Sequence, residues 1–247
     1  MGLFDLPAPL FSWIDQLLAF LPALLRVALW GAVSGVLSMW LYALLSRQDA
    51  LAELKGEIKQ SQAAINSFDG EFNEMWPLIR RSLGLSLRHL RLALGPALWA
   101  GIPVIFVMAW ISNHYGYMAP EAGAPVELRL TPAEVLPEAL EPAADPGSYR
   151  APWPAKSLEV AADAKPLFNL DGQHPTPVLH ARQWWNWLIA NPGGYLPAGS
   201  PLELVEIGLE SRQLHTVGPT WTRTWPLTYF LVLVVTALGY KFLRRVH

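Results

Sequence analysis

Three apolar runs, each close to the length of a membrane-spanning helix, constrain the fold of this 247-residue chain more than any other feature. The hydrocarbon core of a bilayer is about 30 Å thick, and a helix of about 20 residues crosses it. The runs occupy residues 22–46, 95–115 and 225–247, the last of which includes a basic tail. Charged residues make up 15% of the chain, against roughly 25% in a soluble domain. The sequence therefore predicts a membrane α-helical protein with three transmembrane helices.

The basic residues near the ends of these runs predict the orientation. Residues 47–94 carry seven Lys and Arg, whereas residues 116–224 carry seven in more than twice the length, together with twelve Asp and Glu. Loops rich in Lys and Arg stay in the cytoplasm. We therefore expect a multi-pass protein of the bacterial inner membrane, with residues 47–94 and the C-terminus in the cytoplasm. The N-terminus and residues 116–224 are expected outside.

Residues 1–21 are apolar but carry Asp5 and Asp15 and no basic residue, unlike the start of a secretory signal. They are expected to remain in the mature chain as an amphipathic helix from Ser12 onward, lying on the outer face and turning at Pro22 into the first span. A fourth span is the alternative.

The cytoplasmic segment 47–94 is predicted to form a helical hairpin. Apolar residues recur mostly three or four apart from Leu51 to Phe72, with Glu and Lys between them, which is typical of a coiled-coil helix. A second helix follows, whose leucines and arginines suit contact with anionic headgroups or with a client protein. A solvated connector is the alternative. The arginines are Arg80, Arg81, Arg88 and Arg91.

The first span contains a row of small residues and a set of polar residues. Spacings of three and four place the small residues on one helix face, where another helix could approach closely. The polar residues could line a partly hydrated groove, and a charge at membrane depth is a functional candidate. For the small residues, helix packing alone is the alternative. For the arginine, the alternatives are that it extends to the headgroups or forms a fixed pair with a carboxylate. The packing stripe is Ala28, Gly31, Gly35 and Ser38, and the groove residues are Arg26, Ser34, Ser38 and Tyr42.

The exported domain 116–224 is predicted to be small, Pro-rich and β-containing. Residues 118–165 are rich in Pro, Ala and Glu and are expected to be extended and weakly ordered. Apolar and polar residues alternate at 126–130, 157–162 and 201–210, and this alternation predicts strands. Trp184, Trp185 and Trp187 predict a short amphipathic helix that fills a small core, stacks on sugars or enters the membrane interface.

The chain carries no recognisable catalytic motif. There is no cysteine, and the histidines lack the spacing of metal ligands, with only weak support for a metal at Asp171, His174 and His180. A formal net charge of -2 argues against direct recognition of nucleic acid. We expect no enzyme activity, no metal and no cofactor.

The order of the predicted parts resembles the three-helix core of the YidC/Oxa/Alb insertase superfamily. Its short members are the archaeal YidC-like proteins and the third subunit of the ER membrane protein complex. Residues 37–68 resemble the end of the first core span running into the coiled coil, and residues 102–120 resemble the second core span, with Pro103, Phe106 and Trp110 at the expected places. Two features depart from the family pattern: Arg26 lies near the edge of its span, and the external segment is far longer.

The resemblance implies a membrane protein insertase or assembly factor that acts without a cofactor. A groove open to the cytoplasm and to lipid would lower the cost of moving polar flanks across the apolar layer. The alternative is a non-catalytic subunit of a larger membrane protein complex. In either case the expected partners are the lipid bilayer and other membrane proteins.

Overall fold

The computed structural model of the chain describes residues 2–134, 137, 140–162 and 165–246. The chain divides into two compact units. Unit 1 comprises Met1–Val27 and Phe106–Thr228, and unit 2 comprises Ala28–Ile105 and Tyr229–His247.

Five α-helices are present in the described residues: α1 (Ala8–Leu17), α2 (Ala23–Leu45), α3 (Gln48–Asn66), α4 (Phe72–Tyr115) and α5 (Trp225–Arg244). Three of them, α2, α4 and α5, are long and apolar enough to cross a membrane. These three helices and the small antiparallel sheet described below confirm the predicted combination of three long apolar helices with a small β-containing part. With ten residues, α1 is about 15 Å long and too short to cross a bilayer.

The predicted boundary near residue 95 between a hairpin helix and the second span is not a helix boundary. Helix α4 runs for 44 residues from Phe72 to Tyr115, through Gly95 and Pro96. A proline removes one backbone hydrogen bond, but the leucines and alanines on both sides favour helix strongly enough for it to continue. The hairpin is therefore α3, a turn near Gly70, and the first half of α4.

In unit 2, α2 packs closely against α5 at two glycines. A Cβ atom on Gly31 would lie 2.7 Å from the carbonyl oxygen of Tyr229, and one on Gly35 would overlap the hydroxyl of Thr236. Four residues make slightly more than one helical turn, so both glycines lie on one face of α2. The absence of side chains there allows the two helix backbones to approach each other.

Unit 1 contains a five-stranded antiparallel sheet of order β2-β3-β1-β7-β6 and a two-stranded hairpin, β4-β5. In the central strand, residues 126, 128 and 130 are buried and those between them are exposed. The cores of both sheets form one cluster that includes Trp153, Phe168 and Val205. The strands are β1 (Pro125–Thr131), β2 (Glu141–Pro142), β3 (Ser148–Pro152), β4 (Ser157–Ala162), β5 (Lys165–Asp171), β6 (Val178–His180) and β7 (Leu204–Ile207).

The expected strands at 126–130 and 157–162 correspond to β1 and β4, and the one at 201–210 corresponds to the shorter β7. Within residues 118–165, expected to be weakly ordered, the structure places β1, β2, β3 and β4. Alternation of apolar residues decides the conformation of this segment despite its proline content. Residues 135, 136, 138, 139, 163 and 164 of the segment lie outside the described part of the chain. The expected helix at the tryptophans is a 3-10 turn, Trp184–Trp187.

Candidate functional site

Unit 2 contains a cavity of about 500 Å³ where α2, α4 and α5 meet, which we call the three-helix cavity. Most of its walls are formed by aliphatic side chains, and three polar side chains take part. Its lining residues are Ser38, Met39, Tyr42, Leu90, Ala93, Leu94, Ala97, Ala100, Leu238 and Lys241. A cavity with this lining suits an apolar segment that carries a few polar groups.

Helical spacing explains why these residues converge. Ser38 and Tyr42 lie four residues apart on α2, and Leu238 and Lys241 lie three apart on α5, so each pair shares a helix face. The wall from α4 is formed in part by alanines, whose small side chains leave space between the helices. The serine and tyrosine hydroxyls can donate or accept hydrogen bonds, and the lysine adds a positive charge.

Two of the four predicted groove residues, Ser38 and Tyr42, therefore lie in this cavity. The third, Ser34, is buried elsewhere in unit 2, where its hydroxyl accepts a hydrogen bond of 3.0 Å from the hydroxyl of Tyr229. Of the packing stripe, Gly31 and Gly35 lie against α5, and Ser38 lines the cavity. One face of α2 thus combines close packing with part of the cavity wall.

The fourth predicted groove residue, Arg26, belongs to a buried polar network in unit 1, which we call the Asp15 cluster. Its guanidinium nitrogen lies 2.6 Å from a carboxylate oxygen of Asp15, whose side chain is 2% exposed. The same carboxylate accepts a hydrogen bond of 2.7 Å from the hydroxyl of Tyr115. The guanidinium groups of Arg26 and Arg212 both lie over the ring of Tyr115, at 5.5 and 5.3 Å from its centre. His114 completes the cluster, with its ring nitrogen 3.7 Å from Asp15.

Sequence reasoning missed two parts of these sites. Lys241 was assigned only to the basic tail, although it lies three residues after Leu238 on the face that lines the cavity. The sequence allows Arg26 a carboxylate partner as one alternative but does not identify that partner as Asp15. One carboxylate and one guanidinium inside a long apolar stretch are a signal for such a pair, because each offsets the cost of burying the other.

The cleft between α3 and α4 in unit 2, which we call the charged cleft, has a volume of about 440 Å³. Arg88 and Arg91 line it, whereas Arg80 and Arg81 are exposed on α4 and do not. Its lining residues are Arg47, Ala50, Glu53, Leu54, Glu57, Arg88, Arg91 and Leu92. With charges of both signs, it can contact a polar peptide or a lipid headgroup.

The residues with weak support as a metal site are only partly together. His174 is hydrogen-bonded to Asp171 at 2.7 Å, whereas the ring of His180 packs against those of Trp185 and Tyr195. Partial burial raises the pKa of Asp171, but hydrogen bonds from His174 and from the backbone N–H of Gln173 outweigh it, so this pKa lies below its ordinary value. Among the described residues no three His, Cys, Asp or Glu side chains form a group that could hold a metal.

No family model, curated protein or solved structure matches the chain. The resemblance to the YidC/Oxa/Alb superfamily therefore remains a prediction from the order of the parts. The geometry of the three-helix cavity is the main guide to function.

Proposed function

We propose that this chain is a YidC-like membrane protein insertase or assembly factor that acts without a cofactor. The observation that carries the proposal is the three-helix cavity, which has an apolar wall and carries Ser38, Tyr42 and Lys241. It lies between three helices that are each long and apolar enough to cross a membrane. Such a cavity can hold an apolar segment of a client while its polar groups contact the polar flank of that segment.

The surfaces of these helices support the membrane location. Leucines and valines are exposed along one side of α2, including Leu25, Leu29 and Val33, and similar residues are exposed along α4 and α5. Contact with water would be unfavourable for such continuous apolar surfaces, whereas contact with lipid is not. We place the protein in the bacterial inner membrane as a multi-pass protein.

The distribution of basic residues sets the proposed orientation. With the N-terminus outside and the C-terminus in the cytoplasm, the charged hairpin of α3 and the first half of α4 lies in the cytoplasm. The cavity is lined by residues from the second half of α2 and of α5. It would then lie toward the cytoplasmic side, where the charged cleft could receive a client before its apolar segment enters the cavity.

Photo-crosslinking during insertion tests this proposal. A photoreactive phenylalanine analogue is placed at Tyr42, and the purified protein is reconstituted into liposomes with a client that has one apolar segment and a short translocated tail. We expect crosslinks to the client from position 42. The matched control is position 44, because Leu44 lies in the same turn of α2 but is exposed and lines no part of the cavity. Equal crosslinking from both positions, or none from position 42 while insertion proceeds, would contradict the proposal.

Filling the cavity provides a second test. Ala97→Trp introduces a large side chain into the cavity, so it should reduce insertion of the same client without unfolding the protein. Leu98→Trp is the control, because Leu98 is the next residue of α4 and its side chain is exposed. An Ala97→Trp protein that is folded and fully active would show that the cavity is not used.

The second candidate function is that of a non-catalytic subunit of a larger membrane protein complex. It is favoured by the ion pair between Arg26 and Asp15, which holds the one positive charge of the first apolar run in unit 1 rather than in the cavity. Purification in mild detergent separates the two functions. Ribosomes or nascent chains in the preparation would favour an insertase, and one partner in fixed stoichiometry would favour a subunit.

A further inference from the structure

Residues 183–190 of unit 1 form an ordered turn with outward-facing tryptophans, which we call the Trp turn. Asn186 lies inside it, 2% exposed, and its side chain accepts a hydrogen bond of 2.6 Å from the backbone N–H of Gln183. Trp184 and Trp187 are 79% and 57% exposed, and neither belongs to the apolar core of the unit. The turn is thus folded around a polar residue while its largest apolar side chains face outward.

The Trp turn is hydrogen-bonded to the N-terminal segment of the same unit. The backbone N–H of Phe4 donates to the carbonyl oxygen of Leu188 at 2.8 Å. The backbone N–H of Ala190 donates to the carboxylate of Asp5 at 3.0 Å, and that of Gly2 donates to the same oxygen at 2.8 Å. The turn and the segment that leads into α1 are therefore one connected element.

Helix α1 continues this element with an apolar outer face. The large apolar side chains exposed on α1 are spaced three or four apart, so they form a single stripe, whereas Asp15 is on the buried side. Only five residues separate Leu17 from Ala23, the first residue of α2, which limits the distance between the two helix ends to about 20 Å. The stripe consists of Leu10, Trp13 and Leu17, and the exposed Leu6 and Phe20 lie in the turns just before and after the helix.

We propose that the Trp turn rests in the interfacial layer of the outer bilayer leaflet, beside the exposed stripe of α1. Tryptophan favours this layer because its ring is apolar and its N–H can still be hydrated or hydrogen-bonded. The short connection to α2 holds α1 near the membrane surface, and the hydrogen bonds to residues 2–5 hold the turn close to α1. This inference rests on the proposed membrane location, and it adds a lipid-binding surface to the β-rich unit.

Site-specific fluorescence tests the inference on the full chain, which contains no native cysteine. Trp187→Cys is labelled with an environment-sensitive fluorophore and reconstituted into vesicles of phosphatidylethanolamine and phosphatidylglycerol that contain a lipid with a nitroxide near its headgroup. We expect a blue-shifted emission and roughly a twofold loss of intensity, as for a group at the interface. Ile189→Cys, in the same turn, repeats the measurement with all three tryptophans retained.

Two labelled controls make the result decisive. Ser157→Cys, exposed on β4 of the same unit, should show neither the shift nor the quenching. Val33→Cys, exposed on α2, should be quenched by a nitroxide deep in the acyl chains. Quenching at Val33 without quenching at Trp187 and Ile189 would overturn the inference alone, whereas no quenching at Val33 would overturn the membrane location itself. Protection of the turn from aqueous iodide only when a soluble glycan is added would also overturn it, in favour of a sugar site.

Discussion

The two units bury polar groups in different ways. In unit 1, the Asp15 cluster buries a carboxylate against the guanidinium of Arg26 and the hydroxyl of Tyr115. In unit 2, the buried contact between α2 and α5 is neutral, a hydrogen bond between the hydroxyls of Tyr229 and Ser34. Close backbone approach at Gly31 and Gly35 accompanies this hydrogen bond.

This difference has a physical basis. A buried charge is tolerated when it is paired and hydrogen-bonded, and removing one partner leaves the other at a high cost. A neutral hydrogen bond between helices contributes little, so van der Waals packing at small residues must supply most of the association in an apolar surrounding. The stability of unit 1 should therefore depend on charge and on its apolar core, and that of unit 2 on shape.

The largest effect is expected from Asp15→Ala. Arg26, whose side chain is only 16% exposed, would lose its carboxylate partner, and Tyr115 would lose its acceptor. We expect the free energy of unfolding to fall by about 3–5 kcal/mol. Chemical unfolding in mild detergent measures the change.

A double-mutant cycle separates the pair from its individual residues. Arg26→Ala should also destabilise, but the Asp15→Ala/Arg26→Ala protein should lose less than the sum of the single changes, since no buried charge is left unpaired. Strict additivity would contradict the pairing. An insertion assay on folded Arg26→Ala and Arg26→Lys proteins tests a role in client binding, because lysine keeps the positive charge. Insertion by Arg26→Lys without insertion by Arg26→Ala would assign the charge of Arg26 a role in client binding.

The second-largest loss of stability is expected from a substitution in the sheet core. Leu128 of β1 is fully buried, so Leu128→Ala should destabilise unit 1 by about 3 kcal/mol through lost burial and a residual cavity. Leu29→Ala is the control, since Leu29 is exposed on α2 and should contribute little in detergent. Equal losses at the two positions would show that the apolar surface of α2 is covered by protein rather than by detergent or lipid.

Gly35→Leu is expected to cause the next largest loss of stability. The new side chain would overlap Thr236 and approach the carbonyl oxygen of Leu233, so α2 and α5 would have to separate. We expect a loss of about 1–3 kcal/mol and a lower yield of folded protein. Gly239→Leu, at a glycine of α5 with no atom within 4 Å of its Cβ position, should have no such effect. A Gly35→Leu protein as stable as Gly239→Leu would mean that the glycines do not hold the helices together.

The sequence predicted the features that depend on local periodicity and missed those that depend on long-range pairing. The three apolar helices and strands β1 and β4 follow from runs of fixed length and from alternation. The continuity of α4 through Pro96 did not follow, because a proline is a strong local signal against helix and only the surrounding leucines outweigh it. Strands β2 and β6 are too short to show an alternation, and β3 and β5 each contain a proline, which argues against a strand.

The candidate site shows the same division. Helical spacing brought Ser38 and Tyr42 to one face, where the cavity lies. It could not show that Ser34 turns toward Tyr229, 195 residues away, or that Arg26 pairs with Asp15 and Tyr115. Those contacts depend on which helices pack together, and the residue spacing within one helix does not indicate which helices will be its neighbours.

The smallest loss of stability is expected from Tyr229→Phe, and it is the closest test of the contrast between charge in unit 1 and shape in unit 2. The change removes only the hydroxyl that donates to Ser34 at 3.0 Å and leaves the buried ring in place. If unit 2 depends mainly on packing, the free energy of unfolding should fall by about 0.6 kcal/mol, the mean for hydrogen bonds between membrane helices. Tyr240→Phe, on the same helix, is the control, because the hydroxyl of Tyr240 has no hydrogen-bond partner in the described structure.

Ser34→Ala completes a cycle with Tyr229→Phe. A single hydrogen bond predicts that the double variant is about as stable as either single variant, since both changes remove the same bond. Thermal unfolding in one detergent, with all variants measured at one protein concentration, gives the comparison. A loss from Tyr229→Phe as large as that from Asp15→Ala would show that unit 2 also depends on a buried polar network. The proposed contrast between charge in one unit and shape in the other would then have to be abandoned.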